Sequence, residues 1–208
     1  MMSNLRLPYS FFARPACEVA QALLGQVLVR PFNGRTLSGI IVETEAYCDS
    51  AEPDLACHGD RANGGQPTPR TQVMFGPAGH AYVYFTYGVH WMFNIVTGQP
   101  GEANAVLLRA LQPVDGVEWM AENRGGRPYP QLTNGPGKLA QAFVIDKSLN
   151  GANLCAPNGV IWIGSAPALE PKQINSGPRV GLGKTPEPWF SIPWRYWIKD
   201  NSFVSKYR

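Results

Sequence analysis

The 22 glycines and 19 prolines of this 208-residue chain constrain its fold more than any other feature. Proline removes a backbone donor and fixes φ, and glycine favours turns over regular structure, so neither sits well inside long elements. They are spread along the whole chain and cut it into short elements, which argues for an irregular mixed fold over a helical bundle or a repeat array. No internal repeat, low-complexity tract or linker interrupts it. A chain of this length can bury roughly 70% of its unfolded surface in one core, so a single domain spanning residues 1–208 is expected.

Between these breaks the periodicity predicts specific elements. Val19, Leu23 and Leu24 recur at helical spacing over Pro15 to Leu24, and Gly25 can end that helix. A strand follows from Gln26 to Arg30. Leu37–Tyr47, Ala81–Tyr87, Val89–Thr97 and Ala105–Leu111 are rich in β-branched and aromatic residues and read as sheet strands. Two more helices are predicted over Pro113–Asn123, before Gly125-Gly126, and over Pro136–Val144, preceded by Asn134 as a start signal. The expected class is mixed α/β (α+β): one curved antiparallel sheet surrounded by helices.

Charge says little by itself. Residues 1–104 carry 6 basic and 8 acidic side chains and residues 105–208 carry 12 and 7, which permits a polyanionic partner for the second half but does not require one. No stretch approaches the roughly 20 apolar residues that a bilayer needs, so a soluble, non-exported protein is expected. Cys17, Cys48, Cys57 and Cys155 form no Cys-x-x-Cys pair and read as reduced thiols of a cytosolic protein.

The chemistry concentrates in four places. Glu43 and Glu45 interrupt the apolar strand Ile41-Val42-Glu43-Thr44-Glu45-Ala46-Tyr47, and alternation puts Glu43, Glu45 and Tyr47 on one face. They belong either to an edge strand with a solvated face or to a general base in a low-dielectric pocket. Tyr82 to Asn94 reads as two aromatic strands meeting at Tyr87-Gly88; most of these rings suit a core, but Tyr87 beside a turning glycine is a plausible wedge between base pairs. Arg109, inside Val106-Leu107-Leu108-Arg109-Ala110-Leu111, needs an acidic partner such as Glu43 or a bound phosphate. Asn134-Gly135-Pro136-Gly137-Lys138-Leu139 reads as a helix start, where free N–H groups suit capping or an anion.

Several common activities lack their residues. Leu132 and Leu139 stand where a Walker A loop would need glycine and serine or threonine. His58, His80 and His90 lie in different segments, and neither a zinc-hydrolase nor a zinc-deaminase motif occurs; no Gly-x-Ser-x-Gly elbow is present either. His58, in a polar loop after the Glu45 strand, can fold back over a pocket. The last segment interleaves Arg195, Lys199, Lys206 and Arg208 with Trp189, Phe190, Trp194, Tyr196 and Trp197, offering cations for phosphate and rings for packing.

An ordered set of motifs then carries a resemblance. Leu23-Leu24-Gly25, Val42-Glu43-Thr44-Glu45-Ala46-Tyr47, His58, Thr68-Pro69-Arg70, Met74-Phe75, Tyr82-Val83-Tyr84, Tyr87-Gly88, Asn94, Val106 to Leu111 and Gly135-Pro136-Gly137-Lys138-Leu139 together resemble the alkyladenine (3-methyladenine) DNA glycosylase family. Arg179-Val180-Gly181 and Trp194-Arg195-Tyr196 extend the likeness more weakly into the tail. The resemblance implies a monofunctional glycosylase of base excision repair, without metal or organic cofactor, that flips alkylated or otherwise damaged purines out of double-stranded DNA. It implies Glu45 as the water-activating carboxylate, with Arg109 orienting the water and the DNA backbone. Tyr47, His58 and Tyr84 would sandwich the base, Asn94 would exclude ordinary purines, and Tyr87 would fill the vacated stack. Arg70, Lys138 and Arg195 are then expected on the DNA backbone. Gln112 departs from the acid common in the family after Arg-Ala-Leu, and Gly64-Gly65-Gln66 lengthens the loop after His58. A monomer is expected, cytoplasmic at the nucleoid if bacterial and nuclear if eukaryotic. Two other functions would use parts of the same residues. A non-catalytic module for damaged or single-stranded DNA would have no use for Glu45, and a nucleoside hydrolase would need neither Tyr87 nor the basic half.

Overall fold

Asn33 and Gly34 both adopt left-handed backbone, φ 49° and 73°, the pairing that suits a tight hairpin. They join β1 (Val27–Phe32) to β2 (Arg35–Tyr47) in the computed structural model, which describes residues 5–48, 54–61 and 64–206. Arg208, one cation of the basic tail, lies outside the described residues. The remaining strands are β3 (Ala81–Thr86), β4 (His90–Val96), β5 (Ala105–Pro113), β6 (Trp162–Gly164), β7 (Ile174–Gly177) and β8 (Arg195–Ile198). All pair antiparallel in one curled sheet of order β3-β4-β5-β2-β1-β6, with β8 joining β2 to β7.

The strand carrying both glutamates is therefore central, which excludes the edge-strand reading. β5 pairs with β2 from Gly39 to Tyr47, while β8 pairs with Glu43, Thr44 and Glu45. The register against β5 slips around Glu43, a bulge that bends the strand where the carboxylates stand.

Alternation sorts the two faces of the sheet. Thr44 donates its hydroxyl to the carbonyl of Ala20, and Ala46 joins the main core. That core packs α1 (Tyr9–Phe12), α2 (Ala16–Ala22) and α5 (Pro136–Ala142) on one side of the sheet, through Phe12, Val19, Leu23, Leu139 and Phe143 against Ile41, Ile95 and Leu108. Each such fully buried Leu, Ile or Phe is worth about 1.5–3 kcal/mol. Glu43, Glu45 and Tyr47 point to the opposite side. There a second cluster, built on Met74, Tyr82, Ala103 and Ala105 with Tyr47 and Tyr84 packed against it, lines a concavity. The short helix α3 (His58–Arg61) lies in the same region.

Two helix boundaries differ from the sequence expectation. β5 runs on to Pro113, and α4 is confined to Val117–Asn123 because Gly116, left-handed at φ 73°, starts it; a Cβ there would lie 2.6 Å from the carbonyl oxygen of Thr36. α5 starts after Gly135 with Pro136 in its first turn, and Asn134 does not cap it; its side-chain oxygen accepts instead from Lys138 Nζ at 2.8 Å. The helix stops at Ala142, ahead of Val144, which is left-handed at φ 52°.

Candidate active site

On the concave face β2, β3, β4 and β5 enclose a cavity of about 530 Å³, closed on another side by Val180, Gly181, Leu182, Gly183 and Thr185. Glu45 forms part of its wall and is itself fully buried, at 0% exposure. A bare carboxylate in such a place would be strongly disfavoured, so its partners matter. Oε1 accepts the Val180 N–H at 2.6 Å and lies 3.3 Å from Arg109 Nη1, while Oε2 accepts the Tyr47 hydroxyl at 2.9 Å. Both carboxylate oxygens are therefore occupied by donors, and the side chain is held in one orientation. The Tyr47 phenol is held in its protonated, donating form: burial first, and then the Glu45 charge, push its pKa well above the ordinary tyrosine value.

Arg109 joins the two carboxylates. Its Nε donates to Glu43 Oε1 at 2.9 Å while Nη1 faces Glu45. Burial works against the guanidinium charge, but Glu45 and Glu43 outweigh it and leave the pKa above the usual arginine range. The ion pair with Glu43 weighed from sequence is thus present, and it ties up Arg109 in the interior rather than offering it to a phosphate.

The aromatic residues expected around a base come together here. Tyr47, His58, Tyr84 and Asn94 all line the cavity. His58 packs edge-on to Tyr84 with ring centroids 4.6 Å apart, and its Nδ1 lies 3.1 Å from the Tyr82 hydroxyl. Burial lifts the Tyr84 phenol to about 12 against the lowering influence of the Arg70 charge, so the ring stays neutral. Asn94 spends one amide proton on the Tyr82 carbonyl at 3.0 Å, which fixes the side chain that faces the cavity.

The rim carries the remaining candidates. Tyr87 and Gly88 are consecutive left-handed residues at φ 53° and 68° in the turn between β3 and β4, and the Tyr87 side chain is thrust out at 84% exposure. Pro136, at the start of α5, lines the cavity, and a Cβ on Gly137 would sit 2.8 Å from the His90 ring, so α5 and β4 meet closely at this rim. Lys138 is one turn away. Arg70 is exposed, with its guanidinium 5.0 Å from the Tyr84 ring.

Arg195 is placed differently from the expectation of a backbone contact. It is 9% exposed and pairs with Glu43 at 3.3 Å, because in β8 it stands opposite Glu45 across the sheet. Among the described tail aromatics, Trp189 and Tyr196 are buried and Phe190 is exposed.

Sequence reasoning did not find the wall opposite the sheet. Arg179 is buried, bonded through both Nη atoms to Asp54 at 2.5 and 2.9 Å, and stacked 4.7 Å from the Tyr47 ring. It anchors the loop whose Val180 N–H reaches Glu45. The two partners are 125 residues apart, and the only hint was the weak likeness of Arg179-Val180-Gly181 to the glycosylase pattern. Among the described residues no group of three or more His, Cys, Asp or Glu is arranged to hold a metal ion, and no helix is long and apolar enough to cross a membrane.

Comparison with known proteins finds relatives along nearly the whole chain. The family model described as methylpurine-DNA glycosylase (MPG) matches residues 10–202. A protein of Carboxydothermus hydrogenoformans is 44% identical over 200 residues, covering 96% of this chain and 98% of its own. Relatives from Chlorobaculum tepidum, 41% identical over 202 residues (97% and 91%), and Myxococcus xanthus, 42% over 200 (96% and 93%), are similar along nearly their whole length. All three carry the name "putative 3-methyladenine DNA glycosylase".

Proposed function

The chain belongs to the methylpurine-DNA glycosylase family, and from that premise we propose that it flips alkylated purines of the 3-methyladenine type out of duplex DNA and hydrolyses their N-glycosidic bond. The observation that carries this reading is the Glu45 carboxylate, buried and triply supported, in the wall of an aromatic cavity open to solvent beside the Tyr87 turn. A module that only bound DNA would gain nothing from a carboxylate buried there and held by three donors.

The chemistry follows from the substrate. An alkylated purine is cationic, so the faces of Tyr47 and Tyr84 attract it by cation–π stacking, worth about 2 kcal/mol when desolvated. A positive base is already a good leaving group. What remains is to stabilise an oxocarbenium-like sugar and to deliver water to C1′, and one ionised glutamate does both. Glu45 takes a proton from the water as the C–N bond breaks, the bond electrons leave with the base, and Arg109 holds the carboxylate in place. Asn94 rejects ordinary purines at the pocket wall, Tyr87 fills the vacated stack, and Arg70 and Lys138 meet the DNA backbone. No lysine is among the described residues that line the cavity, so no amine is placed there to form a Schiff base and the strand stays intact.

The test is single-turnover excision from alkylated duplex DNA. Wild-type protein should release free base and leave an abasic strand that breaks only on alkali treatment. Glu45→Gln keeps the shape of the site and its DNA binding but removes the base, and excision should nearly vanish. A Glu45→Gln rate within tenfold of wild type overturns the assignment.

A further inference from the structure

Glu43 is as deeply buried as Glu45, at 0% exposure, yet it does not line the cavity. Its partners come from three separate parts of the chain. Oε1 receives Arg109 Nε at 2.9 Å, Arg195 Nη1 at 3.3 Å and the Ser205 hydroxyl at 2.7 Å, and Oε2 receives the Ser205 backbone N–H at 2.7 Å. The same Ser205 oxygen accepts from Arg109 Nη2 at 3.3 Å. Each nitrogen of the Arg109 guanidinium therefore has a different partner: Nε has Glu43, Nη1 has Glu45 and Nη2 has Ser205. A planar guanidinium held at three points cannot rotate.

The segment that brings Ser205 there is itself anchored. Phe203 is 3% exposed and packs with Val42 and Ala110, the neighbours of Glu43 and Arg109, and Tyr129 lies edge-on to its ring at 5.0 Å. Asn201 donates to Gln112 Oε1 at 2.8 Å and accepts the Phe203 N–H at 2.9 Å. The last described residues of the chain are thus strapped over β2 and β5 on the face that carries Glu43 and Arg109, beside the cavity.

Resting on the glycosylase reading of Glu45, we infer that Ser205 is a positioning residue for base excision: its hydroxyl sets the plane of the Arg109 guanidinium so that Nη1 stays on the Glu45 carboxylate. Without the hydroxyl, Nη2 loses its acceptor and Glu43 Oε1 loses a donor. The guanidinium is then free to turn towards Glu43 and draw Nη1 off Glu45. A shift of about 1 Å at a reacting group can cost up to about 100-fold in rate. DNA binding, governed by the rim and the cavity rings, is untouched by this rotation.

The experiment compares wild type, Ser205→Ala, Ser205→Thr and Glu45→Gln in the full-length protein on one alkylated duplex, measuring the single-turnover rate at saturating enzyme and the DNA Kd separately. Ser205→Ala should slow excision roughly 10-fold, the scale of one hydrogen bond to a charged group, with Kd within about twofold. Ser205→Thr, which keeps the hydroxyl, should recover most of the rate. A purely structural role predicts a lower Tm with an unchanged rate, and that result overturns the inference. So does a parallel loss in rate and Kd, or failure of threonine to rescue. If wild type itself releases no base, the glycosylase reading has failed; if wild type is active, Glu45→Gln is dead and Ser205→Ala is normal, only the positioning role has failed.

Discussion

Tyr87→Ala separates a wedge from a packing residue. In the free protein the ring is 84% exposed, so its removal deletes almost no buried surface and should change stability by no more than about 0.5 kcal/mol. The backbone supports the same distinction. At φ 53° Tyr87 occupies left-handed space, which costs a residue with a Cβ roughly 1–2 kcal/mol, and alanine inherits that cost whereas glycine does not. Tyr87→Gly should therefore be the more stable of the two variants and equally defective in recognition. A wedge in the DNA complex would recover stacking lost by the extruded base, about 1–3 kcal/mol by analogy with base–aromatic contacts. At about 1.4 kcal/mol per factor of ten, the flipped complex should weaken roughly 5- to 150-fold. The assay is a fluorescent ethenoadenine flipping reporter at fixed salt, in a well-paired duplex and in one where the lesion is mispaired, with thermal unfolding alongside. Extrusion costs least where the base is already unpaired, so the defect should be large in the first duplex and small in the second. Equal losses in both duplexes, or none in either, refute the wedge.

Two further perturbations test the placement of charges. Lys138→Gln should lower the slope of log K against log salt by about one, whereas Arg195→Gln should leave the slope alone and lower the Tm by roughly 6–12 °C, because it breaks a buried pair with Glu43 worth about 3 kcal/mol; a changed slope for Arg195→Gln returns that residue to the DNA surface. Tyr84 has its pKa raised by burial from 10 to about 12, so the folded state keeps a proton that the unfolded chain gives up: its stabilisation is complete below pH 10 and lost as pH climbs to about 12. Denaturant melts across that window should show the decline in wild type and a shallower one in Tyr84→Phe, and identical curves would contradict it.

What sequence could and could not reveal divides along the range of the interactions. Carboxylates in an apolar strand are an anomaly visible within seven residues, and so is a tyrosine beside a turning glycine; Glu45 and Tyr87 line the cavity and its rim. Asn33-Gly34 likewise carries its hairpin locally. The helix start at Val117 was not legible, because Pro113 looks like a first-turn proline until β5 is seen to run through it and Gly116 is found pressed against Thr36. The strands β6 and β7, of 3 and 4 residues, are too short to show a period.

Arg195 is the instructive case. By composition it is one cation in a basic, aromatic tail, and only the pairing of β8 with β2, which sets it across from Glu45 and beside Glu43, turns it inward. A charge is read as surface unless its counter-charge is known, and here the counter-charge lies 152 positions away. The same holds for Arg179 with Asp54 and for Ser205 with Glu43. Apart from Tyr47, the groups that hold Glu45 and Glu43 are distant in sequence, while most of the groups lining the cavity cluster in β2 to β5. Local pattern therefore finds the residues that would touch substrate. The residues that hold them are found only once the sheet has closed around them.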